Sequence, residues 1–433
     1  MLKKRDQIIL VLFSCFFLSG FIAQAQKFKK IRSEGDYYHL YQIKVKPRTS
    51  NEIILPVFIT GISIELESDN DFSGTSLETG QGVVEVRRNE HDADLQKNIS
   101  QLINFEPMID RFIIHNHSIS ETFILHAYYT ASVTPLKKKG VFSGGYDCSE
   151  PEAINQSVWR AGLPAPAPNP DYTKTEHIVI HHTAGSNSIS DHLTVVRNIY
   201  LYHTQSNEWD DIGYNYLIAR DGTIYKGRDG QTKHQQDFVK GAHFCGKNNH
   251  TLGIGVLGTY TDVVPTAPIV ESLSKLILWK LHKDQLTALD SFLHPKSGTE
   301  QLLLPRICGH RDGCATECPG TSFYQLLPEI RNSIDSLLKK CPPLAFKTVS
   351  MTDAFSVYPN PTDGSLFILT NNNELFFIVI HDLNGKEMIR TQLLSTPTQL
   401  QFDFLTPSVY LLSIFDQSNN FIHLQKLVVI DKQ

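Results

Sequence analysis

Short stretches that alternate apolar and polar residues dominate the first part of the chain and predict β-strands. Between about residues 30 and 135 these stretches are rich in β-branched and aromatic residues, and Ser, Asn, Asp and Gly separate them. That pattern is typical of an all-β module, and we expect a sandwich-like arrangement of no assigned role over residues 26–140. The stretches are Tyr38–Val45, Glu52–Ile59, Ile62–Leu66, Gly82–Val86, Arg111–Asn116 and Thr122–Tyr129.

Between residues 148 and 341 the pattern changes to short apolar runs that alternate with helical periodicities. Ile178–His181 and Leu252–Leu257 are mostly apolar, as buried strands are. Asp221-Gly222 is a strong turn signal between two further strand patterns and predicts a hairpin. This alternation predicts a central α/β domain with a mixed sheet flanked by helices. The predicted helices are Asp191–His203, with its cap at Ser190 or Asp191, Pro268–Leu289 and Ser322–Leu338.

A third pattern follows Cys341-Pro-Pro343, where residues 350–433 return to strand-like stretches. These stretches alternate apolar and polar residues between turn signals, which predicts a C-terminal β-sandwich. A length of 433 residues is enough for two or three domains. We therefore expect a multi-domain protein with an all-β module, an α/β domain and a second β module.

Charge narrows the range of partners. The formal net charge is −5 at pH 7, and no stripe of Lys and Arg is present. Nucleic-acid-binding proteins usually carry such a stripe, so we expect no nucleic-acid partner. We also expect a monomer.

The first 25 residues have the pattern of an export signal. Positive residues at Lys3–Arg5 precede an apolar run from Ile8 to about Ile22, and Ala23–Ala25 fits a small-x-small cleavage site. The alternative is a lipoprotein anchor on Cys15, but this cysteine lies inside the apolar run. No other run is long enough to span a bilayer. We expect an exported, soluble chain without a transmembrane segment, which folds where disulfides can form.

The densest group of metal-ligating side chains lies between residues 307 and 320. Its members are Cys308, His310, Cys314 and Cys318. A glycine-punctuated loop of this composition indicates either a metal site or a plain disulfide loop. The segment His177–Thr183 supplies histidines from a separate element and favours zinc. In a strand His181 and His182 point to opposite faces, so only one can be a ligand, and periodicity does not decide which.

These motifs together resemble a known family. The segment from about Trp159 to Leu338 is similar to peptidoglycan recognition proteins of the zinc amidase kind and to the T7 lysozyme type of N-acetylmuramoyl-L-alanine amidase. The motifs that carry the resemblance are Trp159–Ala161, His177–Gly185, Asp211–Leu217, Asp221–Arg228, Gly241–His243, Leu252–Gly258, Gly309–Asp312 and Thr316–Gly320.

The resemblance assigns roles to individual residues. It implies zinc as the cofactor, held by His181, His310 and Cys318. It also implies that Tyr214 and Thr316 are the catalytic partners of the metal. Four more residues match groove positions of the family and become candidate substrate contacts, namely His182, His203, Arg228 and His243.

The activity that the resemblance implies is zinc-dependent hydrolysis of the amide between N-acetylmuramic acid and L-alanine in peptidoglycan or muropeptides. A family member that lacks the zinc cysteine binds peptidoglycan without cutting it. Because Cys318 is present, we expect an enzyme. The alternative is a non-catalytic peptidoglycan-binding module whose zinc is structural.

Residues 350–433 resemble the C-terminal sorting domain of the type IX secretion system. The resemblance is carried by Tyr358–Pro361, Asp382–Lys386 and the strand pattern Val409–Phe415. It implies that the type IX secretion machinery exports the protein to the cell surface or the medium and that the tail is an address. The alternative is an ordinary carbohydrate-binding β-sandwich.

The remaining cysteines allow several disulfide pairings. Cys308 and Cys314 are close enough in sequence to close the metal loop, and Cys148 with Cys341 would tie the ends of the middle domain together. Cys245 then has no assigned partner.

Overall fold

The computed structural model describes residues 24–25, 28–89, 97–116, 121–130, 148–231, 236–295, 301–341, 355–370, 376–393, 397–402, 405–416 and 421–431. Residues 1–23, which hold most of the predicted export signal, lie outside these ranges. The chain divides into two compact units, one ending at Cys341 and the other beginning at Pro342. The N-terminal module and the middle domain therefore belong to one unit. Within the described ranges, every helix is too short or too polar to cross a membrane.

The N-terminal module is built on one nine-stranded sheet. Its strands are β1 Gln24–Ala25, β2 Lys29–Glu34, β3 Tyr38–Val45, β4 Thr49–Leu66, β5 Thr75–Thr79, β6 Gly82–Glu85, β7 Asn98–Ile99, β8 Ile103–Asn116 and β9 Glu121–Tyr128. They run in the order β2-β3-β9-β4-β8-β5-β6, and β1 and β7 also pair with β4. The sequence predicted a sandwich, but hydrogen bonding runs through a single sheet. The reason is that β4 is one long strand, which continues through its β-bulges instead of ending at them. It therefore pairs with strands on both of its sides.

The middle domain contains a five-stranded sheet in the order β12-β11-β13-β10-β16. Its elements are α1 Gln156–Trp159, β10 His177–His182, α2 His192–Leu201, β11 Tyr216–Ile218, β12 Ile224–Lys226, β13 Thr251–Val256, α3 Ala267–Lys283, β14 Ser291–His294, β15 Leu302–Pro305, β16 Ile307–Gly309, α4 Thr321–Tyr324 and α5 Leu327–Leu338. Within this sheet the β11–β12 pair is antiparallel and the other three pairs are parallel, while β14 and β15 form a separate antiparallel pair. Tyr216 and Ile218 pack in a core with α3 and α5, while Leu217 between them packs in a core with α2. This is the predicted mixed sheet with helices on its faces.

Local chemistry sets the helix ends. The Asp191 carboxylate accepts a hydrogen bond from Thr194 N at 3.0 Å, which is the predicted cap of α2. The predicted helix Ser322–Leu338 is two helices, because Pro328 lacks an N–H and starts α5 afresh. The helix predicted to reach Leu289 ends at Lys283, since the backbone turns left-handed at Gln285.

The N-terminal sheet packs on α2 through buried polar contacts. Asn198 is fully buried, and its amide donates to Thr60 O at 3.0 Å and to Asn104 Oδ1 at 2.8 Å. Its carbonyl oxygen accepts from the Thr60 hydroxyl at 3.0 Å. A Cβ on Gly61 would lie 2.9 Å from the Asn198 amide, so the glycine permits this approach. Buried polar groups need hydrogen-bond partners, and these contacts therefore fix how the sheet meets the helix.

Replacing Asn198 by alanine is expected to lower the free energy of unfolding by about 1–3 kcal/mol, because the Thr60 carbonyl loses its side-chain donor in a buried interface. The matched control is Asn332→Ala on the exposed side of α5, for which we expect a change within about 0.5 kcal/mol. Urea denaturation measures both variants. Equal stability of the two would contradict a structural role for the interface.

A second buried contact joins the N-terminal sheet to the π-helix Tyr202–Ser206, which continues α2. Ser206 Oγ lies 2.8 Å from His126 Nδ1, and His126 Nε2 lies 2.9 Å from Glu65 Oε2. The order of hydroxyl, imidazole and carboxylate resembles a hydrolase triad, but Ser206 has no exposed surface for a substrate to reach. Burial lowers the pKa of His126. The contact is structural and anchors the π-helix to the N-terminal sheet.

Two disulfides lie in the first unit. Cys148 bonds to Cys341, which confirms one predicted pairing, and Cys245 bonds to Cys314. The predicted Cys308–Cys314 pairing is wrong. Cys308 is a strand residue of β16 whose side chain is fully buried in an apolar cluster, whereas Cys314 lies beyond the next turn and meets the loop that carries Cys245.

The second unit consists of two sheets around one apolar core. Its strands are β17 Phe355–Tyr358, β18 Ser365–Thr370, β19 Phe376–His381, β20 Glu387–Leu393, β21 Thr398–Gln401, β22 Ser408–Phe415 and β23 Phe421–Val429. One sheet has the order β17-β18-β21 and the other β20-β19-β22-β23. The predicted turn at Asp382–Lys386 connects β19 to β20, with Asp382 accepting backbone hydrogen bonds at its start.

Candidate metal centre

His181 is placed by β10, a fully buried strand between β13 and β16. It is the last residue but one of the strand, so its side chain projects where parallel strands end. Ligands of α/β sheets bind at these carboxyl ends. His181 lies in register with Gly255 of β13.

Two glycines of β13 leave room on the sheet for aromatic rings beside His181. Gly253 and Gly255 alternate with apolar residues, so both face the same side of the sheet as His181. A Cβ on Gly253 would lie 2.5 Å from the His243 ring, and one on Gly255 would lie 3.0 Å from the Tyr214 ring. A larger residue at either position would displace a ring of the site.

His310 and Cys318 come from the loop after β16. Cys318 Sγ lies 3.8 Å from His181 Nδ1, and the rings of His181 and His310 are 4.5 Å apart between centroids. Arg311 N donates to Cys318 O at 2.9 Å, and His182 N donates to Cys318 Sγ at 3.3 Å, which holds the loop against β10. One donor atom from each of His181, His310 and Cys318 lies within 4.8 Å of the others, and all three residues are buried.

These three donors fit a tetrahedral zinc ion. Bonds of about 2.3 Å to sulfur and about 2.0–2.1 Å to nitrogen put the atoms of one sulfur and two nitrogen ligands about 3.3–3.6 Å apart. The 3.8 Å between Cys318 Sγ and His181 Nδ1 is close to that range. One thiolate and two imidazoles are ligands that zinc prefers, and three protein ligands leave a fourth position open.

His243 supports His181 from its far side. His243 Nδ1 lies 3.0 Å from His181 Nε2, so His181 presents Nδ1 to Cys318. His243 Nε2 lies 3.3 Å from Thr251 Oγ1, which in turn donates to Asn248 O at 2.8 Å. Outer hydrogen bonds of this kind orient a metal ligand and fix its tautomer. The predicted substrate contact His243 thus lies directly against a candidate zinc ligand.

Tyr214 and His203 lie together beside the donor group. The Tyr214 ring is 5.4 Å from the His181 ring and 5.7 Å from the His203 ring, between centroids. His203 lies in the π-helix, stacks on Trp209 at 4.6 Å and accepts from Gly213 N at 3.1 Å. Both side chains are nearly buried, so their positions are set by packing.

Buried polar contacts hold the segment that leads into Tyr214. The Asp211 carboxylate accepts from the Gln156 amide at 2.8 and 3.0 Å. Arg228 Nε donates to Ile212 O at 3.1 Å. Burial raises the pKa of Asp211, against the effect of its hydrogen bonds and of Arg228, and burial lowers the pKa of Arg228. Arg228, predicted to contact substrate, contacts this backbone segment.

Thr316 lies half-buried in the loop between His310 and Cys318. Its Oγ1 accepts a hydrogen bond from Cys318 N at 3.1 Å. A hydroxyl that accepts in this way keeps its own hydrogen for donation.

His182 is fully buried on the face of the sheet opposite His181. Its Nδ1 accepts from Tyr260 N at 3.3 Å. Of the two neighbouring histidines, His181 belongs to the donor group and His182 packs in the interior.

A cavity of about 420 Å³ lies next to the site. Its wall includes Trp209, which stacks on His203, and Gly241 and Ala242, which precede His243. Charged residues among those that line it are Asp171, Asp210, Arg228, Asp229 and Lys240. The cavity is polar enough and large enough for part of a peptide.

Sequence reasoning missed three supports of the site. The alternation Gly253-Ile-Gly255 was a visible signal of a close approach on one face of a strand. Trp209 lies six residues after His203, but the π-helix that brings the two rings together has no sequence pattern that we recognise. The Cys245–Cys314 disulfide joins loops that are distant in sequence.

Comparisons with known proteins agree with these motifs. Residues 171–321 match the family described as N-acetylmuramoyl-L-alanine amidase. Residues 356–430 match the family described as secretion system C-terminal sorting domain.

Similar proteins match about two fifths of the chain. Peptidoglycan-recognition protein SC2 of Drosophila melanogaster is 33% identical over 174 residues, which cover 40% of this chain and 82% of the relative. Human peptidoglycan recognition protein 3 is 29% identical over 187 residues, which cover 41% of this chain and 46% of the relative. Among solved structures, the endolysin N-acetylmuramoyl-L-alanine amidase LysCS of Clostridium intestinale is 25% identical, with a TM-score of 0.32, and the match covers 43% of this chain and 98% of that one.

Proposed function

Since this chain belongs to the family of peptidoglycan recognition proteins and related amidases, we propose that it is a zinc-dependent N-acetylmuramoyl-L-alanine amidase. Its reaction is hydrolysis of the amide bond between N-acetylmuramic acid and L-alanine in peptidoglycan or its soluble fragments.

The observation that carries the proposal is the convergence of three buried donors from two separate elements. His181, His310 and Cys318 supply two imidazoles and one thiolate within 4.8 Å of one another. Structural zinc sites are closed by four protein ligands, whereas catalytic sites have three and an exchangeable position. Because the sulfurs of Cys245 and Cys314 are bonded to each other, they add no thiolate to this set.

The residues around the donors have chemical tasks that suit amide hydrolysis. A zinc ion held by His181, His310 and Cys318 would supply Lewis acidity to polarise the scissile carbonyl and to make water nucleophilic at neutral pH. The phenol of Tyr214 and the hydroxyl of Thr316 donate hydrogen bonds to the oxygen on which charge develops as the carbonyl is attacked. His243 keeps His181 in one tautomer and orientation.

The cavity beside Trp209 offers a place for the stem peptide. Trp209 in its wall stacks on His203, and Ala242 in its wall precedes His243, whose ring lies against His181. The charged residues of both signs in its lining suit a peptide that carries both carboxylates and an amine. We assign His203 and His243 to the wall between peptide and metal, and His182 and Arg228 to the support beneath it.

The second candidate is peptidoglycan binding without cleavage, with zinc in a structural role. It is favoured by the relatives in the comparison, which carry the name of recognition proteins. The two candidates differ in whether the fourth position of the metal is used by water.

Digestion of defined muropeptides by the full chain tests the proposal. We expect new products with a free L-alanine amino terminus, identified by mass spectrometry. Treatment with a chelator such as 1,10-phenanthroline abolishes their release, because zinc affinity depends on only three protein ligands, and stoichiometric zinc restores it.

A binding measurement on the same samples separates the two candidates. If no product forms before chelation and muropeptide binding persists after it, the function is non-catalytic and the enzyme is excluded. Incubation in zinc-free buffer without the protein is the control for spontaneous hydrolysis.

The other parts of the chain have supporting roles in this proposal. Residues 1–25 direct export, and residues 350–433, which contain the match to the sorting domain, address the protein to the type IX secretion machinery, so it acts outside the cell. We expect it to act as a monomer. Residues 148–341 carry the chemistry. The module of residues 26–140 stiffens the wall of the site, because it anchors α2 and the π-helix that holds His203.

A further inference from the structure

His310 belongs to two groups of potential metal ligands. The first is the buried set with His181 and Cys318. The second joins His310 with Cys245 and Cys314, again with donor atoms within 4.8 Å of one another. Cys245 Sγ lies 3.9 Å from His310 Nε2.

The disulfide keeps the second group from binding a metal. A sulfur bonded to another sulfur is not a thiolate, and the thiolate is the form that ligates zinc. Reduction by a dithiol breaks the Cys245–Cys314 bond and yields two thiols, while the dithiol becomes a cyclic disulfide with the loss of two hydrogens. Zinc binding then displaces the two thiol protons into solvent.

Packing keeps both cysteines near His310 without the disulfide. A Cβ on Gly313, next to Cys314, would lie 2.2 Å from the ring of Phe244, the residue before Cys245. The Phe244 ring is fully buried and lies 6.0 Å from the His310 ring. The Phe244 ring therefore packs closely on the backbone at Gly313, and Cys314 packs on the cluster that contains Phe244, so reduction would free the sulfurs without separating the loops.

The two groups of ligands compete for the one lone pair of the neutral His310 ring. A neutral imidazole has a donor N–H on one nitrogen and a lone pair on the other. His310 can therefore serve one metal ion at a time. Besides His310, the reduced second group offers two thiolates, whereas the first group offers one thiolate and one imidazole. Thiolates are the stronger zinc ligands, so zinc binding favours the reduced second group.

We propose that Cys245, Cys314 and His310 form an alternative zinc site when their disulfide is reduced, and that this site withdraws His310 from the catalytic set. This inference rests on the proposed zinc chemistry of the first group. Oxidation of this pair is then a condition for an active enzyme.

Cobalt(II) in place of zinc tests the proposal by absorption rather than by activity. Sulfur-to-cobalt charge-transfer absorption grows with the number of thiolate ligands. The oxidised full chain should show the absorption of one thiolate, from Cys318. After reduction by dithiothreitol and its removal without oxygen, we expect an increase of about twofold, because the alternative site has two thiolates in place of one.

Three variants make the outcome decisive. Cys318→Ser lacks the thiolate of the catalytic set, so its charge-transfer band should be absent when oxidised and appear on reduction. Cys245→Ser with Cys314→Ser should give a band that reduction does not change. Cys148→Ser with Cys341→Ser removes the distant disulfide and should respond to reduction as the parent chain does.

Each result has a separate meaning. A reduced Cys318→Ser variant with no charge-transfer band would overturn the alternative site. An oxidised parent chain that binds no cobalt at all would instead overturn the proposed zinc centre. Circular dichroism of each variant before and after reduction verifies that the folded chain is being measured.

Discussion

Replacing Cys318 by serine is expected to remove zinc and abolish muropeptide hydrolysis. The thiolate is the anionic ligand of the set, and its Sγ lies 3.8 Å from His181 Nδ1. We expect kcat/KM to fall at least about 10³-fold, since polarisation by zinc contributes several kcal/mol and each ~1.4 kcal/mol is tenfold in rate. Elemental analysis after dialysis measures the zinc, and mass spectrometry of digests measures the activity.

Cys308→Ala is the matched control for this experiment. Cys308 is also a buried cysteine outside the disulfides, ten positions earlier, but it packs with Val179 and Leu304 rather than with the donor group. Burial raises the pKa of its thiol, which suits a neutral packing residue. We expect full zinc content and unchanged kcat. If Cys308→Ala lost zinc while Cys318→Ser kept it, the assignment of the metal ligand would be refuted.

Replacing Tyr214 by phenylalanine is expected to lower kcat about 10²–10³-fold, the usual effect of losing one hydrogen-bond donor to a developing oxyanion. The ring remains, so its packing over Gly255 and beside His181 is kept. Zinc content and KM should therefore change little, because the lost interaction belongs to the transition state. Steady-state kinetics on a defined muropeptide separates kcat from KM.

Tyr216→Phe provides the matched control two residues along the chain. Tyr216 points to the other face of β11, packs on Trp279 in the core, and its buried hydroxyl has no hydrogen-bond partner among the described residues. Removing that hydroxyl should leave kcat unchanged and stability equal or higher. An equal loss of kcat in both variants would show that Tyr214 acts through packing rather than as a donor.

The elements with strong local signals were predictable from the sequence. The helix cap at Asp191, the apolar strand that carries His181 and the turn at Asp221-Gly222 are all determined by residues close together in the chain. The pairing of Cys148 with Cys341 was also inferred, from their positions at the ends of the domain. Resemblance selected His181 over His182, which strand alternation alone left open.

Other features depend on contacts that no local pattern contains. The N-terminal module was predicted as a sandwich because alternation indicates strands but not how they pair, and the bent strand β4 joins them in one sheet. The fit of Asn198 against Thr60 links positions far apart in sequence. Likewise, Cys314 pairs with Cys245 rather than with its neighbour Cys308, because strand direction turns the Cys308 side chain into the core.

The covalent link between Cys148 and Cys341 has a consequence for removal of the C-terminal unit. The two cysteines are 193 positions apart, and closing a loop of that length restricts the unfolded chain by about 5 kcal/mol in the loop-entropy estimate. A peptidase that cut after Cys341 would create a new C-terminus that the disulfide already joins to Cys148 at the start of the domain. The disulfide opposes fraying from such an end into α5, so we expect the first unit to keep its fold when the residues after Cys341 are removed.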